Sequence, residues 1–395
     1  MSGISSAVRH QTMASFLPIL VRTESYNIDW HQFKKSATDE ELLRFTNGVL
    51  DSFWRLEKAI NQVKSIKLDA EICQKEMKEL AKWGLAAYRR FFEDERSRQI
   101  IEGRCKMMGS ETPAPTFISE RVLFPWEVLY AGDNYQEANP EMFWGLRYTP
   151  ARILTPEKDI SRFLAERTTP LDMMFCLHHG LREAHKNEWL QIQKLIRSLQ
   201  NSRCSLLSAV GKLTGIESGE NLLDYFIEAN HNILHFACHC LSEQLEVDTL
   251  LFSMLKDEGQ EGEPLVIQLG TIAFILVKED KQFQCQPLVF LNACQSAGGT
   301  DALRKTFNLP QMFIKRGAEA VIATACPVPD RFAAAFAQQF YTFFIEKQMT
   351  IGEALQATRK YFIEEYNNPL GLAYGLYSPA YYRLTQPLAT VGVAS

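Results

Sequence analysis

Nowhere in the 395-residue chain do eighteen or more apolar residues run together, which removes a bilayer-spanning helix from consideration. The longest apolar stretch near the N-terminus, Met13 to Val21, is interrupted by Pro18 and followed at once by Arg22 and Glu24, with no small-residue cleavage site. The expectation is therefore no signal peptide and a soluble, cytoplasmic chain. Basic charge is not in excess: Lys+Arg 42 against Asp+Glu 47 leaves a net charge of −5. That balance argues against a protein that coats nucleic acid or an anionic membrane, and no direct contact with either is expected. The nine cysteines are odd in number and contain no CxxC pair, so reduced thiols are expected rather than a disulfide framework. GxGxxG, HExxH and GxSxG are all missing, and Gly211-Lys212-Leu213-Thr214 lacks the upstream glycine of a phosphate loop. Nucleotide hydrolysis and serine-hydrolase chemistry drop out, and without an internal repeat so does a solenoid.

What is present is an ordinary globular composition, 46% hydrophobic and 23% charged, in a chain long enough for two or three domain-sized units. Residues 1–110 read as a mostly helical N-terminal region. Thr38 with Glu41 forms a capping box, after which Val49, Phe53, Leu56, Ile60 and Val63 recur at alternating four- and three-residue spacing. A second helix is predicted over Asp69–Phe92, with Leu80, Trp83, Ala87 and Phe91 on one face. The pair is expected to pack as an antiparallel hairpin on the main domain, since two heptads are too few for a coiled coil.

The Pro-punctuated stretch from Gly109 to Pro115 marks a boundary, with a second domain over 111–390. Strands are predicted at Met173–Leu177, Ser205–Val210, Asn232–Ala237, Leu288–Ala293 and Ala320–Ala325. Helical patterns between most of them predict a mostly parallel sheet covered on both faces. Gly317 is placed as the glycine ending the helix over 310–316, and Thr350 with Glu353 as a second capping box. The aromatic run from Phe332 to Phe344 has helical spacing and is assigned to the core.

Two of these strands end in residues able to act together in nucleophilic catalysis. One reads Asn232-Ile233-Leu234-His235-Phe236-Ala237-Cys238-His239-Cys240, and the other Leu288-Val289-Phe290-Leu291-Asn292-Ala293-Cys294-Gln295-Ser296. Functional groups of a parallel sheet collect beyond the carboxyl ends of its strands, where His239 and Cys294 both fall. A thiol beside an imidazole ionises at neutral pH, and the same imidazole can protonate a leaving amine. The Ser296-Ala297-Gly298-Gly299 loop would let backbone approach a bound acyl group. The crowding of His235, Cys238, His239 and Cys240 raises zinc, but neighbouring strand residues point to opposite faces and structural-site spacing is missing. No metal and no cofactor are expected.

The segments His235–His239 and Leu291–Ala297, in the order they occur, resemble the CHAT domain, a group of caspase-like cysteine peptidases in the clan of caspases and separases. The resemblance extends upstream through Phe124-Pro125-Trp126-Glu127-Val128-Leu129-Tyr130 and Phe143-Trp144-Gly145-Leu146-Arg147-Tyr148. Downstream it runs through Phe313–Thr324, Pro327-Val328-Pro329-Asp330, Phe340-Tyr341 and Glu353-Ala354-Leu355. It implies a caspase-like α/β sandwich, a mostly parallel sheet flanked by helices and preceded by the helical N-terminal region. It makes His239 the general base and acid and Cys294 the nucleophile, with the backbone amides of Cys240 and Cys294 as the oxyanion hole. His235 would be a structural histidine; on a strand it projects to the same side as His239, so an exchange of roles is the alternative.

The sequence departs from the family pattern in three places. Cys240 stands where the family has Gly, so a left-handed backbone there would be strained. Cys326 stands in place of a Trp, and Asn292 in place of the Asp found in members that cut after Lys or Arg. Asn292, Asp330 and Arg182 are the candidate substrate-binding residues, with a helix N-cap the competing role for Asp330 and a plain surface position for Arg182. The resemblance also implies an intracellular endopeptidase acting on a protein substrate. It would stay latent until an activating subunit or effector complex engages it, in bacterial antiviral defence or programmed cell death. The competing reading is a catalytically silent scaffold that binds a partner protein or peptide in the same groove.

Overall fold

A computed structural model describes residues 16–22, 28–34, 38–106, 114–118, 124–153, 166–168, 170–178, 181–199, 201–207, 226–228, 230–242, 250–254, 265–268, 282–295 and 310–385. The helical hairpin forms where the apolar stripes require it. α1 (Asp39–Val63) starts at the Thr38/Glu41 capping box and α2 (Ala70–Phe91) follows. Arg90 pairs with Glu41 and Arg55 with Glu76, a register in which the two helices run antiparallel. Gly48 lies against the Trp83 ring, which a Cβ at that position would meet at 2.1 Å; any larger residue would part the helices. Val49, Phe53, Leu56 and Ile60 are fully buried, whereas Val63, at the end of the predicted stripe, is exposed. α3 (Glu95–Lys106) completes this helical region.

Residues 16–22 and 28–34, which fall within the region read as mostly helical, instead form the antiparallel strands β1 (Phe16–Arg22) and β2 (Ile28–Lys34). The apolar run Leu17–Val21 contains Pro18, which a helix interior does not accommodate, and Ile19 and Val21 favour extended backbone. Together with β3 (Pro115–Ile118) and β4 (Ala151–Ile153) they make a four-stranded sheet ordered β2-β1-β3-β4.

The main sheet contains β6 (Asp172–Leu177), β7 (Arg203–Leu207), β8 (Ile233–Ser242), β11 (Leu288–Gln295), β12 (Ala320–Thr324) and β13 (Tyr374–Tyr377). Their order is β7-β6-β8-β11-β12-β13. Every pairing in it is parallel except β12 with β13. One edge of β8 pairs with β6 up to Ala237 and then with the antiparallel β9 (Leu250–Met254), itself paired with β10 (Leu265–Gln268). β5 (Glu166–Thr168) and β14 (Arg383–Thr385) form a separate parallel pair.

Side chains alternate across the sheet, and helices lie on both faces. On one face pack a π-helical turn (Ala184–Trp189) continuing into α4 (Leu190–Ser198), and α5 (Asp330–Tyr341). On the other, Phe236 meets Phe226 and Phe313 of the helical turn at 310–315. That helix ends at Gly317, φ 98°, with the Ala318 N–H donating to the Phe313 carbonyl, the left-handed stop that glycine supplies without strain. α6 (Ile351–Tyr366) starts at the Thr350/Glu353 capping box. The aromatic run is core: Phe332, Phe336, Phe340, Tyr341 and Phe344 are completely buried.

A buried ionic node joins these layers. Glu127 accepts both Arg152 guanidinium nitrogens, one at 2.9 Å, and lies 3.6 Å from Arg359 of α6. Arg359 also donates to the carbonyls of Gly145 at 3.2 Å and Tyr374 at 2.7 Å. Burial pushes Arg359 down to about 10, opposed by Glu127 and reinforced by Arg152, so it still carries its charge at neutral pH. One carboxylate thus faces two buried cations. Glu127→Gln should cost about 3–5 kcal/mol in urea unfolding, because it removes the buried carboxylate that both guanidiniums face; a loss under about 1 kcal/mol would contradict this account of the node.

Candidate active site

β8 and β11 lie side by side in parallel register, which sets Phe290 opposite His235, Asn292 opposite Ala237 and Cys294 opposite His239. The two residues expected to carry the chemistry are therefore register neighbours at the carboxyl ends of adjacent central strands. Cys240 continues β8 as extended backbone, flanked by Gln295 on β11 and Phe252 on β9. Extended backbone is open to any residue, so the cysteine in the family's glycine position carries no left-handed strain here. The loop over 296–299 lies outside the described residues.

Beneath this pair the sheet carries a buried polar cluster. The His235 ring is sandwiched between its register neighbours Phe175 and Phe290, centroids at 4.4 and 4.9 Å. Its Nε2 lies 2.7 Å from Glu188 Oε1 and its Nδ1 3.1 Å from the Tyr341 hydroxyl. Asn292 donates its amide to the same Glu188 oxygen at 2.7 Å and to the Ala333 carbonyl at 2.9 Å, and accepts from the Tyr374 hydroxyl at 2.7 Å. Glu188, His235, Asn292 and Tyr341 are all buried. Burial, with the Glu188 charge next in size, pushes the Tyr341 phenol well above its ordinary range; it stays a neutral hydroxyl.

Asn292 is thus a buried strut two residues before Cys294, with all three of its side-chain polar contacts inside the protein. Asp330 opens α5, but its carboxylate accepts from the backbone N–H groups of Glu183 at 2.9 Å and Ala184 at 3.1 Å. It caps the neighbouring helix rather than its own, and ties α5 to the turn that carries Glu188. Arg182, in the same first turn, is exposed. The structure brings His239, Cys294 and Asn292 together and couples Asp330 to them through the Glu188 turn. Glu188 and Tyr374 carry no sequence signal, Glu188 sitting in an unremarkable charged stretch; Tyr341 falls in a segment of the family resemblance and in a run whose spacing marks it as core, and neither signal points to the His235 contact.

Burial holds four other thiols in their protonated form at neutral pH. Burial raises Cys176 and Cys326 well above the ordinary range, Cys204 to about 12 and Cys73 to about 11. Among the described residues no group of three His, Cys, Asp or Glu side chains could hold a metal ion, and no helix is long and apolar enough to cross a membrane.

A mostly parallel sheet between helical layers, with His239 and Cys294 as register neighbours at the carboxyl ends of two central strands, defines the chain as an α/β protein. The family model of the CHAT domain matches residues 122–371, well over half of the chain, and the chain belongs to the CHAT-domain family. A probable protease of Vitiosangium sp. (strain GDMCC 1.1324) is 23% identical over 181 residues, 46% of this chain and 22% of that protein. The structure of the Saccharomyces cerevisiae separase–securin complex aligns with a TM-score of 0.39 and 15% identity, covering 87% of this chain and 22% of that one. The chain thus spans about a fifth of the length of each of these relatives. Residues of the Pro-Trp-Glu and Gly-Leu-Arg segments inside the match have structural contacts: Trp126 stacks on Phe117 at 3.8 Å, Glu127 is the buried counter-ion, and the Gly145 carbonyl accepts from Arg359.

Asp330→Ala should lower stability by about 1–2 kcal/mol, as loss of a cap does. Burial raises the Asp330 carboxyl above its unfolded value, more than its two backbone hydrogen bonds lower it. Its stabilising contribution is then greatest below the unfolded carboxyl pKa and declines as pH rises through the folded one. Urea unfolding across the acidic range should show the gap to Asp330→Ala narrowing with rising pH; a gap that widens would contradict the assignment.

Proposed function

We propose that the chain is a cysteine endopeptidase with His239 as general base and acid and Cys294 as nucleophile. The observation that supports this most is their register pairing on β8 and β11. The Cys294 thiol gives its proton to His239, and the thiolate attacks the peptide carbonyl carbon. The carbonyl oxygen becomes an oxyanion, received by the backbone amides of Cys294 and Cys240. As the tetrahedral species collapses, the C–N bond breaks and His239 returns its proton to the leaving amine, leaving a thioester on Cys294. His239 then draws a proton from water, the hydroxide attacks the thioester carbonyl, and the C–S bond breaks; the protonated His239 returns its proton to the departing Cys294 sulfur, and the released carboxylic acid loses its own proton to solvent. Only the chain's own groups are needed, and no cofactor takes part.

The reading extends to a protein substrate and to latency relieved by a partner subunit or effector complex in the cytoplasm, in bacterial antiviral defence or programmed cell death. Support for this extension is family membership together with the match to a protein named a protease. Asn292, buried on the floor, acts as a support for the strand rather than as a substrate contact in this reading. Arg182, exposed beside the Asp330-capped turn, would in this reading meet an acidic group of a substrate.

Cleavage mapping by mass spectrometry on a proteome-derived peptide library, with and without lysate of the source cells as activator, tests the reading. Peptide ends generated by the wild type should fall at least about a thousandfold with Cys294→Ala and likewise with His239→Ala. Cleavage that persists in Cys294→Ala would overturn it. No cleavage by the wild type, with partner capture undiminished in Cys294→Ala, would establish the scaffold instead.

A further inference from the structure

Glu188 presents an energetic anomaly. It is buried to 1% exposure, and both hydrogen bonds it receives, from His235 and Asn292, fall on one oxygen. Its second carboxylate oxygen is buried without a hydrogen-bond partner among the described residues. A buried carboxylate with half of its acceptor capacity unmet is costly, and an apolar residue of similar volume would serve packing as well or better. Such residues are retained where the arrangement they impose matters. The two groups that Glu188 holds lie earlier on the same two strands as the dyad positions: His235 is four residues before His239 on β8, and Asn292 is two before Cys294 on β11. Glu188 lies in a π-helical turn, an irregularity frequent at functional sites, and Asp330 holds the start of that turn.

We propose that Glu188 is a positioning residue for the dyad: a single acceptor oxygen clamps β8 and β11 together from below and so sets the His239–Cys294 approach. A carboxylate can only accept, so the His235 Nε2–H and the Asn292 amide both donate to it, and a rotation of either strand end breaks one of the two bonds. Catalytic geometry tolerates little slack, and a displacement of about 1 Å costs on the order of a hundredfold in rate. The inference rests on the dyad reading above, and concerns a residue that touches neither substrate nor reacting atoms.

The test uses the full chain and iodoacetamide, following Cys294 alkylation by peptide mass mapping as a function of pH in the wild type, His239→Ala, Glu188→Gln, Glu188→Asp and Glu188→Ala, with thermal unfolding of each. Gln keeps an acceptor oxygen at the same reach, and its profile should stay within about threefold of the wild type. Asp, one methylene short, and Ala should shift the rise in alkylation toward that of His239→Ala, with at least about a tenfold lower rate below neutral pH. A cooperatively folded Asp or Ala variant whose profile superposes on the wild type would overturn the proposal, as would failure of both to fold while Gln folds, which makes Glu188 purely structural. If His239→Ala itself leaves the wild-type profile unmoved, the dyad reading has failed and the positioning role falls with it, an outcome distinct from a His239 effect that the Glu188 variants do not share.

Discussion

The parallel pairing of β8 with β11 is the constraint on which the rest of the molecule depends. Register in a sheet buried on both faces is all or nothing, because a slip of one residue sends every side chain to the opposite face. Here a slip would turn Asn292 away from Glu188 and toward the apolar side where Phe236 packs on Phe226 and Phe313. It would also take Phe290 off the His235 ring. The loss of a buried amide's partners together with an aromatic stack far exceeds what the sheet could regain elsewhere. The register that satisfies the interior is the one that sets Cys294 beside His239. Folding energy and chemical arrangement are in this sense the same fact.

Two buried polar nodes tie the surrounding elements to this pair of strands. The Glu127–Arg152–Arg359 node joins the segment before the sheet to α6 and to the carbonyl of Tyr374. The Glu188–His235–Asn292 node joins the π-helical turn to the two central strands, and meets Tyr374 again through its hydroxyl. Tyr374 on β13 therefore touches both, by backbone on one side and side chain on the other. The helical hairpin docks onto the same assembly: the Leu68 N–H donates to the Tyr366 carbonyl, the Asn368 amide to the Ile66 carbonyl, and Arg331 to the Lys64 carbonyl. Arg331 follows Asp330 directly, so the turn of the hairpin and the Glu188 turn are held by neighbouring residues at the start of α5.

Much of this was legible in the sequence where the signal is local. Both capping boxes, the glycine stop at Gly317, and the central strands follow from residues within one turn or one strand of each other. The ends of β8 and β11 needed only the rule that parallel strands present function at their carboxyl ends, together with a family resemblance that the match over 122–371 bears out. What escaped was tertiary. Glu188 meets its partners across 47 and 104 residues of chain, and nothing in its neighbourhood sets it apart from an exposed acid. Asp330 looked like a cap for its own helix because capping patterns are read along the chain, whereas the helix it caps starts some 147 residues earlier. The β1–β2 hairpin was hidden in a region whose later residues are strongly helical, although Pro18 in the middle of its apolar run is incompatible with helix.

The central claim is that the register neighbours His239 and Cys294 work as an ionised pair, and the most direct measurement is the ultraviolet titration of the Cys294 thiolate. It is taken as the difference in absorbance between the wild type and Cys294→Ser across pH, and repeated in the His239→Ala background. The background is favourable, because burial raises Cys176, Cys204 and Cys326 out of the working range. The account predicts a thiolate that forms well below the ordinary thiol value of about 8.5 and moves back up when His239 is removed. A Cys294 that titrates as an ordinary thiol, indifferent to His239, would contradict it.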